Sequence, residues 1–233
     1  MLALHGLTGQ PAVLGPLPER LRAAGFPVST PTLPGHGATP AQLAETSWAD
    51  WSGAVDRALD ELLRSARGVV AIGLSMGGTL ALWLAAHRVE VVGVVTVNAP
   101  AQPQPDLILH LERERAAGMR AIEPFGQDVA DTSVQPPDYG SCPIGAMLEL
   151  LYAIEELQLG LPHVTCPALL VASETDNVIP AMAHREHLEL RLGGPVSTLD
   201  LARSRHLATI DYDRDLIADA ALDFARALDA PAT

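Results

Sequence analysis

Short apolar runs alternate with stretches of helical periodicity along most of this chain. Leu2-Ala3-Leu4 reads as a first strand, running directly into the loop His5-Gly6-Leu7-Thr8-Gly9. A helix is expected over residues 12–24, closed by Gly25, then a strand over 26–30 and a proline-punctuated loop to Gly37. Trp51, Val55, Leu59, Leu62 and Leu63 fall on one face of an amphipathic helix over 47–67. Ser47, with Asp50 three residues on, is a start signal for it. A strand over 69–74, a helix to residue 88 and the most strand-like run of all, 91–97, complete the first half. Residues 91–97 carry the apolar pattern of a strand covered on both faces.

The alternation then stops. Residues 101–162 are Pro-rich, helical near 107–117, irregular, and helical again near 144–159, which is too long for an ordinary connection. Regularity returns with a strand over 168–172, a helix over 182–192, a strand over 196–201 and a last helix over 213–228. This order predicts an α/β fold with a mostly parallel central sheet and helices on both faces. The expected organisation is a core formed by residues 1–100 and 163–233, with residues 101–162 inserted as a small helical cap.

Composition narrows the function. The 233 residues suit one large α/β domain. The net charge of −13 argues against nucleic acid and anionic membrane surfaces as partners. All 15 basic residues are Arg, so lysine Schiff-base chemistry is excluded. Two distant cysteines, Cys142 and Cys166, do not make a disulfide framework. No metal-ligand spacing occurs, so neither metal nor cofactor is expected. No apolar stretch is of membrane-spanning length and no signal peptide is evident, which predicts a soluble, cytoplasmic protein without a membrane anchor.

The chemistry concentrates at Gly73-Leu74-Ser75-Met76-Gly77, between an apolar strand and a helix. A G-x-S-x-G in that context is a nucleophile elbow: a sharp turn that lifts the serine hydroxyl clear of the sheet at a helix N-terminus. Side chains two residues either side of the serine would collide, so both positions require glycine. A serine nucleophile needs a base, and the base an orienting acid, in the chain order Ser, Asp or Glu, His. Asp176 follows the strand after the insertion, and His206 lies in the loop after the last strand. Glu174 and Asp200 are the neighbouring carboxylates. Neutral imidazole would take the proton of Ser75 and return it to the leaving alcohol, while Asp176 fixes the tautomer. The oxyanion would be held by the backbone N–H groups of Met76, after the nucleophile, and Leu7, after His5-Gly6. His5 and His36 read as loop-fixing residues rather than bases.

His5-Gly6-Leu7-Thr8-Gly9, Pro31-x-Leu33-Pro34-Gly35-His36-Gly37, Trp48-x-Asp50-Trp51, the elbow, Asp176-x-Val178-Ile179-Pro180 and Ser204-x-His206-x4-Asp211 occur in that order. Together they resemble the α/β-hydrolase superfamily, and within it the small bacterial carboxylesterases related to monoacylglycerol lipases. The resemblance implies an α/β-hydrolase fold, the triad Ser75, Asp176 and His206, and Leu7 and Met76 as oxyanion donors. It also implies a first, antiparallel part of the sheet ahead of the His-Gly loop. Here that loop begins at residue five, so either those strands are missing or the natural chain starts earlier, and in both cases Leu2-Ala3-Leu4 is expected to be central. A shortened sheet edge would open a route to a homodimer.

The activity implied is hydrolysis of uncharged carboxylic esters with short to medium acyl chains, monoacylglycerols included. A thioesterase or acyltransferase would use the same triad, and a non-catalytic hydrolase-fold binding protein is a remoter reading. Met119, Ile122, Phe125, Tyr139, Met147, Leu150, Leu151 and Ile154 are candidates either to line an apolar pocket over Ser75 or to pack the insertion onto the body.

Overall fold

The structure is a computed structural model, and it describes residues 1–123, 127–137 and 139–229. The strands are β1 (Leu2–Leu4), β2 (Val69–Leu74), β3 (Val91–Val97), β4 (Ala121–Ile122), β5 (Cys142–Pro143), β6 (Ala168–Ser173) and β7 (Val196–Leu201). The helices are α1 (Leu17–Ala23), α2 (Pro40–Leu43), α3 (Trp48–Leu63), α4 (Met76–His87), α5 (Pro105–Ala116), α6 (Ile144–Gly160), α7 (Ala181–Arg191) and α8 (Arg214–Asp229).

Five strands form one wholly parallel sheet in the order β1-β2-β3-β6-β7. Strand β2 shows why it is covered on both sides. Its alternate residues Val69 and Ala71 enter the core shared with α3, α4 and α6, whereas Val70, Ile72 and Leu74 enter the core under α1 and α8. The period of two thus divides one continuous apolar run between two layers of helix. Helix α3 begins at a reciprocal cap: the Ser47 hydroxyl accepts from the Asp50 N–H, and the Asp50 carboxylate accepts from the Ser47 N–H.

Two local expectations need correction. The single helix over 12–24 is a 3-10 turn at Pro11–Leu14 followed by α1. Gly15 separates them at φ +56°, and a Cβ there would lie 2.1 Å from the Thr209 carbonyl oxygen. The strand over 26–30 is reduced to one parallel bridge, Ser29 to Leu2. Pro27 and Pro31 flank that bridge and have no N–H with which to extend it. Strand β1, expected to be central, is therefore the terminal strand of the five, with only the single bridge to Ser29 on its outer side.

Between β3 and β6 the chain forms α5, a two-stranded β4–β5 ribbon and α6. Helix α6 has two working faces. Ala146, Leu150, Ile154 and Leu157 join the sheet-side core, and Ile144, Leu148 and Leu151 pack against Leu111 of α5. Among the described residues, no helix is long and apolar enough to cross a membrane.

Candidate active site

Ser75 stands between β2 and α4 at φ +53°, ψ −126°. The turn is possible only because its flanks have no side chains. A Cβ on Gly73 would lie 2.0 Å from the Gly77 carbonyl carbon, and one on Gly77 would lie 2.2 Å from the Leu4 carbonyl oxygen. Backbone bonds fix the turn from both ends: the Ser75 N–H donates to the Val97 carbonyl at 2.8 Å, and the Gly78 N–H to the Ser75 carbonyl at 2.7 Å.

His206 Nε2 lies 3.0 Å from Ser75 Oγ, and His206 Nδ1 lies 2.7 Å from Asp176 Oδ2. With a carboxylate at Nδ1, that nitrogen carries the proton and Nε2 faces the hydroxyl as an acceptor. Asp176 is held in turn: its Oδ1 accepts the Val178 and Ile179 N–H groups at 2.8 and 3.0 Å. The His206 and Asp176 side chains are only 4% and 1% exposed, so water competes little for their contact. Of the competing carboxylates, Asp200 faces Arg185 at 3.4 Å and Glu174 is exposed. The arrangement can deprotonate the Ser75 hydroxyl as it attacks an electrophilic carbon. The N–H groups of Leu7 and Met76 flank Ser75 in loop and helix, and neither meets a protein acceptor among the described residues.

Three side chains that the sequence pattern did not single out, or left as mere motif letters, hold the histidine loop. Asn98, buried at the end of β3 with φ +47°, donates from Nδ2 to the His206 carbonyl at 2.9 Å and the Arg205 carbonyl at 3.1 Å. Its Oδ1 accepts the Ser173 N–H at 2.8 Å. The fully buried Asp211 accepts four backbone N–H groups, from Arg205, Ala130, Asp131 and Tyr212. Asp128 accepts the His206 N–H at 3.2 Å. An asparagine at the end of a strand or an aspartate in an irregular segment has no local signature of such a role.

His5 and His36 sit beneath the loop that carries Leu7. His5 Nε2 accepts the Leu33 N–H at 3.1 Å, so Nδ1 is the protonated nitrogen and donates to the Gly6 carbonyl at 2.9 Å. Burial, reinforced by His36, pushes the His5 pKa down to about 3, and burial pushes His36 to about 4. His36 packs edge-on against Trp51, whose indole N–H reaches the Pro34 carbonyl at 3.1 Å. His184 is likewise buried, with Nδ1 accepting the Ala101 and Gln102 N–H groups at 3.1 and 2.9 Å. These three histidines are neutral struts. Among the described residues, no group of three or more His, Cys, Asp or Glu is placed to hold a metal ion.

A family model described as the alpha/beta hydrolase family matches residues 1–220. The chain belongs to that family. This alpha/beta hydrolase is 32% identical over 235 residues to a thermostable monoacylglycerol lipase of Bacillus sp. (strain H-257), covering 96% of this chain and 89% of the relative. It is 25% identical over 236 residues to a carboxylesterase of Bacillus subtilis (strain 168), covering 98% and 93%. Among solved structures it superposes with TM-score 0.91 and 32% identity on a structure from work on LipS and LipT, two metagenome-derived lipolytic enzymes, covering 97% and 92% of the two chains. The hydrolase is therefore of the lipase and esterase type.

The pocket of the hydrolase over Ser75 is bounded by Leu7, Gln127, Pro137, Tyr139 and His206, among others. Of the eight apolar candidates from the insertion, Tyr139 lies on this wall, with its hydroxyl turned away toward the Gly35 and Thr39 carbonyls at 2.6 and 2.9 Å. Ile122, Met147, Leu150, Leu151 and Ile154 pack between helices, Met119 is exposed, and Phe125 lies outside the described residues.

Proposed function

We propose that this protein hydrolyses uncharged carboxylic esters with short to medium acyl chains, monoacylglycerols among them, through an acyl-enzyme on Ser75. The observation that carries the reading is the continuous relay from Ser75 Oγ through His206 to Asp176, at 3.0 and 2.7 Å. His206 Nε2 takes the Ser75 proton as Oγ bonds to the acyl carbon, and the carbonyl π electrons move to oxygen. The Leu7 and Met76 N–H groups donate to that oxyanion. When it collapses, the C–O bond to the alcohol breaks and His206 gives the proton to the leaving oxygen. Water, deprotonated by the same nitrogen, then releases the acid and restores Ser75. Asp176 holds the imidazole in the required tautomer throughout. The Tyr139 ring supplies apolar wall, and no arginine borders the pocket among the described residues, which supports an uncharged substrate. A cytoplasmic location belongs to the same reading. A homodimer, formed through the sheet edge beyond Ser29, is part of the same reading and is checked by light scattering.

Ser75→Ala tests the mechanism. Turnover of p-nitrophenyl butyrate should fall by at least roughly a thousandfold, with labelling by a fluorophosphonate probe abolished. Retained turnover in Ser75→Ala overturns the reading, and faster cleavage of acyl-CoA than of simple esters would redirect it to a thioesterase.

A further inference from the structure

Asp128 lies in the segment inserted between β3 and β6, far in sequence from both loops it touches. Its side chain is 11% exposed. Oδ2 accepts the N–H of Asn177 at 2.9 Å and that of His206 at 3.2 Å. Oδ1 accepts the Asn177 side-chain amide at 2.8 Å. The Asp128 backbone carbonyl accepts the Leu207 N–H at 3.0 Å. Asn177 directly follows Asp176. One carboxylate thus grips the residue beside the acid and the backbone of the base, across loops that leave two different strands, β6 and β7.

The chemistry of the side chain fits that task closely. Three N–H groups converge on it, and an ionised carboxylate offers about four acceptor sites and no donor. An asparagine would offer one acceptor oxygen and would turn an NH2 group against at least one of those donors. Arg205 Nη1, 3.7 Å from Oδ1 and 46% exposed, supplies only a loose counter-charge. The segment has a second anchor, because Asp211 ties the N–H groups of Ala130 and Asp131 to that of Arg205. The same stretch presents Gln127 to the pocket over Ser75. It therefore touches the place where substrate binds and the backbone that aims the imidazole.

We infer that Asp128 is a positioning residue for the base. It sets the distance between the Asp176 and His206 loops, so that His206 Nε2 stays on Ser75 Oγ and the inserted segment is coupled to catalysis. This rests on the reading of Ser75 as nucleophile and His206 as its base. A small displacement of such a base costs rate steeply while leaving substrate contacts intact.

The test compares Asp128→Asn and Asn177→Ala with the parent, on p-nitrophenyl butyrate and on the fluorophosphonate probe. Asp128→Asn should lower kcat by roughly ten- to a hundredfold with KM within about twofold, and should slow probe labelling of Ser75 in proportion. Asn177→Ala removes one of the three donors and leaves the inserted segment untouched; it should lower kcat by roughly two- to fivefold, again with KM unchanged. In the Asp128→Asn background it should add nothing further, because the clasp is already open. Full kcat in a folded Asp128→Asn protein overturns the inference, as does a loss confined to KM or to thermal stability. If Asp128→Asn does not fold, Asn177→Ala decides: unchanged kcat overturns the inference. Turnover by Ser75→Ala would instead sink the nucleophile reading, so the two failures are separable.

Discussion

The elbow and the loop carrying His206 meet within a hydrogen bond, yet they are built in opposite ways. The elbow is local. Its shape follows from two missing side chains, a strand that ends and a helix that begins within five residues. The histidine loop is assembled from a distance. Asn98 holds its carbonyl, Asp128 its N–H, and Asp211 the residue before it, and the first two act from 108 and 78 residues away along the chain. The comparison teaches that the place of Ser75, the proposed nucleophile, can be specified by backbone sterics alone. The His206 imidazole, proposed to take up the Ser75 proton and give it back, is instead aimed by a net of side-chain hydrogen bonds.

The sharpest way to break the local half is Gly77→Ala. Its Cβ would lie 2.2 Å from the Leu4 carbonyl oxygen and 2.7 Å from that of His5, against backbone that cannot swing aside. We expect a loss of about 4 kcal/mol or more, an exceptional value for one methyl group, read from urea unfolding. A loss under about 1 kcal/mol would mean that β1 can give way and that the elbow is not sterically fixed.

The distributed half should fail more gradually. Asn98→Ala removes the buried donor to the His206 carbonyl, the buried acceptor for the Ser173 N–H and a part-buried donor to the Arg205 carbonyl, which keeps the Ser173 hydroxyl, and it puts alanine at a positive φ. The expected cost is about 3 kcal/mol, since each buried group left unpaired costs about 1–3 kcal/mol and partial relaxation offsets some of the sum. The variant should lose kcat rather than raise KM. Normal kcat in Asn98→Ala would show that the carbonyl side of the histidine loop needs no clasp.

The same contrast decides how much was legible in the sequence. The five parallel strands and the placement of Ser75, Asp176 and His206 beside one another were readable because each is announced nearby, by an apolar run, a glycine pair or a position after a strand. Asn98 and Asp128 were not, because their partners are backbone groups, which every residue carries, brought close only by the fold. Local rules misjudged residues 26–30 for a related reason. The side chains suit a strand, but Pro27 and Pro31 withhold the N–H groups that would extend the ladder past Ser29. Apolar spacing in α6 could not say whether Met147 or Leu150 faces substrate or helix, since both surroundings are apolar; packing against α3, α4 and α5 took them.

The smallest effect concerns protons, and it separates histidines that must stay neutral from the one proposed to exchange a proton. His5, His36 and His184 are buried, with pKa values pushed down to about 3, 4 and 4. Above the ordinary histidine value near 6.5 they are neutral in both folded and unfolded chains, and pH leaves stability unchanged through them. As pH falls below that value the unfolded chain takes up protons that the folded chain refuses, so stability drops until the folded values are reached. For His36 alone the loss between pH 7.5 and 5.5 is about 1 kcal/mol. His36→Asn, which can still offer an N–H toward the Pro34 carbonyl, removes that titration. Urea unfolding of parent and variant at the two pH values should therefore show the variant losing about 1 kcal/mol less on acidification, whatever its stability at pH 7.5. Equal losses in the two proteins would mean that His36 accepts a proton in the folded state. The wall of packed, uncharged rings from His5 through His36 to Trp51 would then not be the fixed support of the Leu7 loop that its geometry describes.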